Sequence, residues 1–248
     1  MAERNTTDQM PTIRDKVIDA ALIAVTDRGW RRTHIDDVIE AAGVSEALFY
    51  REFDGLVSVM VAASRQLNAA MADAVADFEE QDSTREKLFA LIMARFDAAM
   101  PWRAAIVDLA RSAPTDPVLA AAAGQALMTM ASRALSLAGI TVSGPLGFAR
   151  VNAFMLSVIL PAARIWLKDE SADLSKTMTG LNDLLERAEW VASRSGPLSG
   201  LSGGNISGAM AADEAKNPAA APKALVGAEA GSDRGTGTPS GSRADQGR

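Results

Sequence analysis

Gly43 separates two short runs of helical periodicity, and that arrangement constrains the chain more than any bulk property does. In the first run Thr33, with Asp36 three residues on, forms a capping pattern, and Ile35, Val38 and Ile39 follow at helical spacing. Ser45 caps the second run, which reaches about Phe53 before Asp54-Gly55 breaks it. Only Ala-Gly-Val lies between the two, and glycine accepts the positive φ that so tight a turn demands. Upstream, Thr12 caps a helix carrying Ile13, Val17, Ala21 and Val25, ended by Gly29. Three short helices with the last two joined in this way have helix-turn-helix geometry. In that arrangement the last helix enters a DNA major groove and the one before it crosses the backbone.

Charge works against that reading. The 248-residue chain carries a net charge of −6, and residues 13–67 hold seven basic against nine acidic side chains. Phosphate neutralisation normally calls for a basic surface. Other chemistries are excluded more firmly. Cysteine is absent and His34 is the only histidine, which removes disulfides, thiolate metal sites and histidine-based triads. The carboxylate pairs Asp36-Asp37, Glu79-Glu80 and Asp169-Glu170 read as solvated or capping groups. No glycine-rich phosphate loop is present, so no enzyme, cofactor or metal is expected. MAERNTTDQMPT has no apolar core to serve as a secretory signal, and no apolar run reaches the roughly 18 residues of a membrane span. A cytoplasmic location is expected.

Ala-rich periodic segments and 5% aromatic residues favour an all-α chain. Residues 1–11 read as a disordered N-terminus and 12–55 as the helix-turn-helix head. Residues 56–194 read as a helical body. Residues 195–248 hold eleven of nineteen glycines and no aromatic residue, and read as a disordered tail. Within the body, one long helix is expected over 56–78, a second from Ser83 to Pro101, a short one over 102–112 and another from Asp116-Pro117 to about 138. An apolar helix over 146–168 should kink at Pro161, and a final helix over 174–194 carries Leu174, Met178, Leu181, Leu185 and Ala188 on one stripe.

Ala41-Ala42-Gly43-Val44-Ser45, followed by Tyr50 and Phe53 and preceded by Gly29 and Thr33, resembles the TetR family of regulators. The resemblance implies a TetR-like all-α homodimer whose three-helix head binds double-stranded DNA and whose body takes a small apolar or lipid-like effector. The dimer would form through helices over 146–168 and 174–194. It implies DNA contacts from Thr33, Ser45 and Tyr50, with Glu46, Ala47, Leu48 and Arg51 along the reading helix and Arg31 and Arg32 at the edge of the head, where Arg28 could add charge. Four positions depart from the family pattern: Glu46, Leu48, Glu52 and Leu56 stand where polar or basic residues are usual. A carboxylate facing phosphate is repelled, but glutamate can accept from a cytosine amino group and leucine can touch a thymine methyl, so these changes leave specific reading open.

Those departures lead to a second resemblance. DRGW at 27–30, REKLFALIMARFDAAMPWRAAI at 85–106 and WLKDESADLSKTM at 166–178 look like the coenzyme Q biosynthesis accessory family, lipid-binding proteins of TetR fold. That family meets membranes through a C-terminal amphipathic helix, for which SGPLSGLSGGNISGAMAA is too rich in glycine. Met93, Phe96, Trp102, Met128, Met130, Phe154, Met155 and Trp166 supply soft, bulky side chains for an effector pocket. The sequence therefore supports two functions. One is a dimeric DNA-binding repressor released by an apolar ligand; the alternative is a lipid- or quinone-binding accessory protein whose helix-turn-helix no longer binds DNA.

Overall fold

The computed structural model describes residues 11–194. Residues 1–10 and the expected 195–248 tail lie outside the described residues. Helix α1 spans Ile13–Arg28 and begins on a reciprocal box: the Thr12 N–H donates to Asp15 Oδ2 at 3.0 Å and the Asp15 N–H to Thr12 Oγ1 at 3.1 Å. A 3-10 turn, Trp30–Arg32, leads to α2, Ile35–Ala42, and then α3, Glu46–Glu52. The box expected from Thr33 and Asp36 forms one residue later, where the His34 N–H donates to Asp37 Oδ2 at 3.1 Å. The 3-10 turn has already claimed Thr33: its N–H bonds Trp30 O and its hydroxyl donates to Gly29 O at 3.0 Å.

The helix expected over 56–78 breaks into α4, Leu56–Leu67, α5, Ala69–Asp73, and a 3-10 turn, Ala74–Asp77. The break lies at Asn68. Its N–H reaches back only three residues, to Arg65 O, and its side-chain carbonyl accepts from Arg95 Nε at 2.8 Å. Helix α6, Thr84–Ala99, starts on the Ser83–Glu86 box. Pro101 falls in the next 3-10 turn, and α7 spans Arg103–Ser112. Helix α8, Pro117–Leu137, is capped by Asp116 Oδ1, which accepts from the Val118 and Leu119 N–H groups.

Helix α9, Gly144–Phe154, begins two residues before the expected start. It passes through a π turn, Met155–Ile159, into α10, Leu160–Lys168. The distortion expected at Pro161 thus appears in the turn before it, and the backbone stays helical through Ile159 and Leu160 into Pro161. Helix α11 spans Ser175–Arg194.

Helix α8 and the α9–α10 rod are each long and apolar enough to cross a membrane by length and composition. Counting uninterrupted apolar runs missed this because Arg133, Arg150 and Arg164 interrupt them. Both elements contribute to the core of the bundle, through Met130, Ala134 and Leu135 on α8 and Val151, Phe154 and Ala162 on the rod.

Two apolar cores result. One joins α1, α2 and α3 to the first half of α4 through Val17, Ile18, Val38, Phe49, Phe53 and Val59, and it draws in Ala105 and Leu119 from α7 and α8. The other lies among α5, α6, α8, α9, α10 and α11, around Ile92, Phe96, Leu135, Ile159 and Leu181. Helix α4 is where they meet: Val59 and Met60 belong to the first, and Leu67 packs on the second.

Candidate nucleic-acid interface and ligand cavity

Gly43 takes φ 62 and ψ 36, the left-handed cap that ends α2, and the next N–H, from Val44, closes on Ile39 O at 3.2 Å. Ser45 then starts α3, its hydroxyl accepting from the Leu48 N–H at 3.3 Å. One side of α3 is fixed by Phe49, which is fully buried and meets Phe53 and the edge of Tyr50. The other side is open: Ser45, Glu46, Ala47, Tyr50 and Arg51 are exposed and Leu48 is half-buried. Tyr50 keeps 50% of its surface.

The remaining expected contacts are differently placed. Thr33 is 5% exposed and its hydroxyl is already used within the chain. Arg31 Nη2 donates to Thr115 Oγ1, and Arg32 Nε to Arg28 O. Arg28 pairs with Asp37. Of the two glutamates on α3, Glu52 turns back to Arg14 at 3.6 Å, while Arg14 also lies over the Phe53 ring. Glu46 has no such partner among the described residues.

Two polar anchors fix elements around this surface and behind it: Trp30 at the end of α1 and Asp169 between α10 and α11. Trp30 is buried, donates its N–H to Asp108 Oδ2 at 2.6 Å and its Nε1–H to Asp116 Oδ2 at 2.9 Å, and so bolts the end of α1 to α7 and to the start of α8. The Leu119 and Val118 N–H groups and the Trp30 indole together hold the Asp116 carboxyl below its ordinary pKa. The Asp169 side chain is buried, and of the solvated and capping roles expected for its pair it takes the second, meeting the first turn of α11. It accepts from the N–H and hydroxyl of Thr177 at 2.8 and 2.7 Å and from the N–H of Ser171 at 3.0 Å. Burial pushes its pKa up, but these bonds outweigh burial and hold it far below the usual carboxylate range.

A cavity of about 460 Å³ opens between α4, α6, α7, α8 and α10. Of the residues proposed for an effector pocket, Phe96, Trp102, Met130 and Trp166 line it, and the Phe96 and Trp166 rings stack at 5.5 Å. Met93, Met128, Phe154 and Met155 do not line it; they pack in the α5–α11 core, Met93 and Phe154 buried and Met128 and Met155 at its margin. Sequence periodicity identified the bulky residues but could not tell which face of each helix meets the void. The wall also includes Ser64, Arg95 and Arg164. Among the described residues no group of three or more His, Cys, Asp or Glu side chains is placed to hold a metal.

Residues 17–55 match the family model of bacterial regulatory proteins of the tetR family. The fold is TetR-like. A structure described as a tetR-family transcriptional regulator from Streptomyces coelicolor superposes with a TM-score of 0.51 at 19% identity, over 84% of this chain and 93% of that one. A putative TetR-family regulator from Rhodococcus sp. gives 0.49 at 22% identity, over 70% and 98%. In sequence, the HTH-type transcriptional regulator BetI of Rhizobium meliloti is 33% identical over 89 residues, 36% of this chain. The match spans 44% of that relative's length. The TetR-like fold places the turn at Gly43 and the open side of α3 in a helix-turn-helix setting, with the cavity in the helical body behind it.

Proposed function

We propose that the protein is a dimeric transcriptional repressor that reads double-stranded DNA with α3 and releases it when a small apolar effector fills the cavity. The observation that carries this reading is the open face of α3, capped by Ser45 after a left-handed Gly43 turn and presenting Tyr50 and Arg51 to solvent. Its acidity is smaller than the sequence suggests, because Glu52, though exposed, is paired with Arg14, and of the two glutamates only Glu46 has no cationic partner among the described residues. Ser45, Tyr50 and Arg51 supply phosphate contacts, and Glu46, Ala47 and Leu48 meet base edges. Thr33 acts by shaping the turn, since its hydroxyl already serves an intramolecular bond, whereas Arg31 and Arg32 are exposed and each has one of five N–H donors engaged within the chain, which leaves the rest for phosphate. Helix α4 couples cavity to head: its first half packs with α1 and α3, and Ser64, Gln66 and Leu67 near its end reach the cavity. An effector that binds better when α4 is displaced would shift the two heads out of major-groove spacing.

Binding of the purified chain to genomic fragments across a salt series tests this. A specific site whose affinity falls with salt is expected. Tyr50→Phe should weaken that site by about 1.5–3 kcal/mol, the range for a hydrogen bond to a charged acceptor. Arg51→Ala should lower the magnitude of the salt slope by about one. Exposed Glu46 in the first turn of α3 is the one observation that favours the accessory-protein alternative. That alternative gives no specific fragment at any salt concentration and a chain that co-purifies with lipid or quinone.

A further inference from the structure

The cavity wall is apolar except at a few points, and its charged members are Arg95 and Arg164, with no carboxylate. In a chain of net charge −6 that selection of one sign is specific to the site. Arg95 comes from the middle of α6. Its Nε donates to Asn68 Oδ1 at 2.8 Å and its Nη2 to Ser64 Oγ at 3.0 Å, so it is held at the end of α4 by two neutral groups. A guanidinium has five N–H donors. Two are used here, and among the described residues the other three meet no acceptor. No Asp or Glu pairs with it among the described residues. Crowding by the surrounding atoms pushes its pKa down to about 10, which still leaves it charged at neutral pH. A second donor in the same wall is also unmet: Trp166 Nε1 is buried with no partner.

Part-buried charge without a counter-charge is costly, and planar carboxylates are the natural match for an arginine fork. We infer that the effector is an amphiphile with one anionic carboxylate head and an apolar tail: the head sits on Arg95 beside Ser64, and the tail lies along Phe96, Trp102, Met130 and Trp166. This rests on the reading of the cavity as an effector site. It also assigns a route for the signal. The head binds at the junction of α4 and α5, where Asn68 and Ser64 already share Arg95, so filling the site pulls on the helix that carries the head's core.

The test is titration of the full chain, without DNA, with decanoate, 1-decanol, decylamine and a decyl-substituted quinone, followed by tryptophan fluorescence and calorimetry. Decanoate should bind at least about ten-fold tighter than 1-decanol, the factor expected for one charge-assisted hydrogen bond, and decylamine weakest of all. Arg95→Gln should remove that preference while leaving 1-decanol affinity within about two-fold, which also shows that the variant's cavity is intact. If Arg95→Gln does not fold, Ser64→Ala and the head-group series on the unaltered chain decide the matter. Equal binding of decanoate and 1-decanol, tighter binding of the quinone, or unchanged decanoate affinity in a folded Arg95→Gln overturns the inference. A chain that binds decanoate but no genomic fragment keeps this inference and loses the repressor reading; one that binds a fragment but not decanoate does the reverse.

Discussion

Phe49 and Tyr50 are adjacent on α3 and do opposite work. Phe49 is fully buried and anchors the helix to α1 and α4; Tyr50 is half exposed on the open side. Phe49→Ala should cost about 3–5 kcal/mol of stability in denaturant unfolding. Tyr50→Phe should change stability by no more than about 0.5 kcal/mol, since it alters only an exposed hydroxyl. Equal losses from the two would mean that α3 does not lie in the head as described. Both assignments are legible in the sequence, because the apolar period over 45–53 places Phe49 and Phe53 on one face. Asp169 was not legible. Its partners Ser171 and Thr177 are polar residues in a connection, and nothing in their spacing separates a buried carboxylate from a solvated one. Its depressed pKa gives a pH prediction. A carboxyl whose folded-state pKa lies below its unfolded value adds stability above the unfolded pKa, and that stability is lost as pH falls through the folded value. Asp169→Asn should therefore lower Tm at neutral pH, and the gap from the unaltered chain should narrow steadily as pH falls below about 4. A gap independent of pH would show that Asp169 acts through shape and not charge.

At the scale of elements, the starts of α1, α6 and α8 were readable, while the cap of α2 moved from Thr33 to His34 because the 3-10 turn takes Thr33. Thr12, Ser83 and Asp116 cap α1, α6 and α8 where the sequence places them, because a cap is a local bond between near neighbours. The break at Asn68 depends on a contact from far along the chain, whereas the π turn over Met155–Ile159 lies in the turn before Pro161, where the sequence places a kink. Asn68 breaks the rod where Arg95, 27 residues away, takes its side chain. The start of α9 carries a further constraint absent from any propensity scale. A Cβ on Gly147 would lie 2.1 Å from the backbone carbon of Val142, so the connection before α9 passes directly against the helix. Gly147→Ala must move backbone and should cost about 1–3 kcal/mol, the range for overpacking, despite alanine's better helix propensity. A stabilised variant in thermal unfolding would refute this close approach.

For the whole molecule, the placement of apolar surface bears on assembly. The stripe expected to pair α11 with a second subunit largely faces inward: Leu174, Leu181 and Leu185 are buried in the chain's own core, and Met178 and Ala188 pack beside them. The exposed large apolar residues lie elsewhere. Of eight such residues among the described ones, five fall on α9, the π turn and the end of α11: Leu146, Phe148, Leu156, Trp190 and Val191. Phe148 is 65% exposed, Leu156 60% and Trp190 58%. Single exposed apolar residues are ordinary, but this concentration suits a surface that a second copy covers. Under the proposed function that copy is required, because a head of three short helices reads one half-site and affinity for a two-fold operator depends on holding two heads about one DNA turn apart. Phe148→Glu combined with Leu156→Glu should yield a folded monomer by light scattering, with unchanged decanoate binding and greatly weakened operator binding. Leu181→Glu should instead unfold the chain, since it places an unpaired charge in a packed interior. A double variant that remains dimeric would move the interface off α9 and the π turn, and with it the explanation for the apolar residues exposed there.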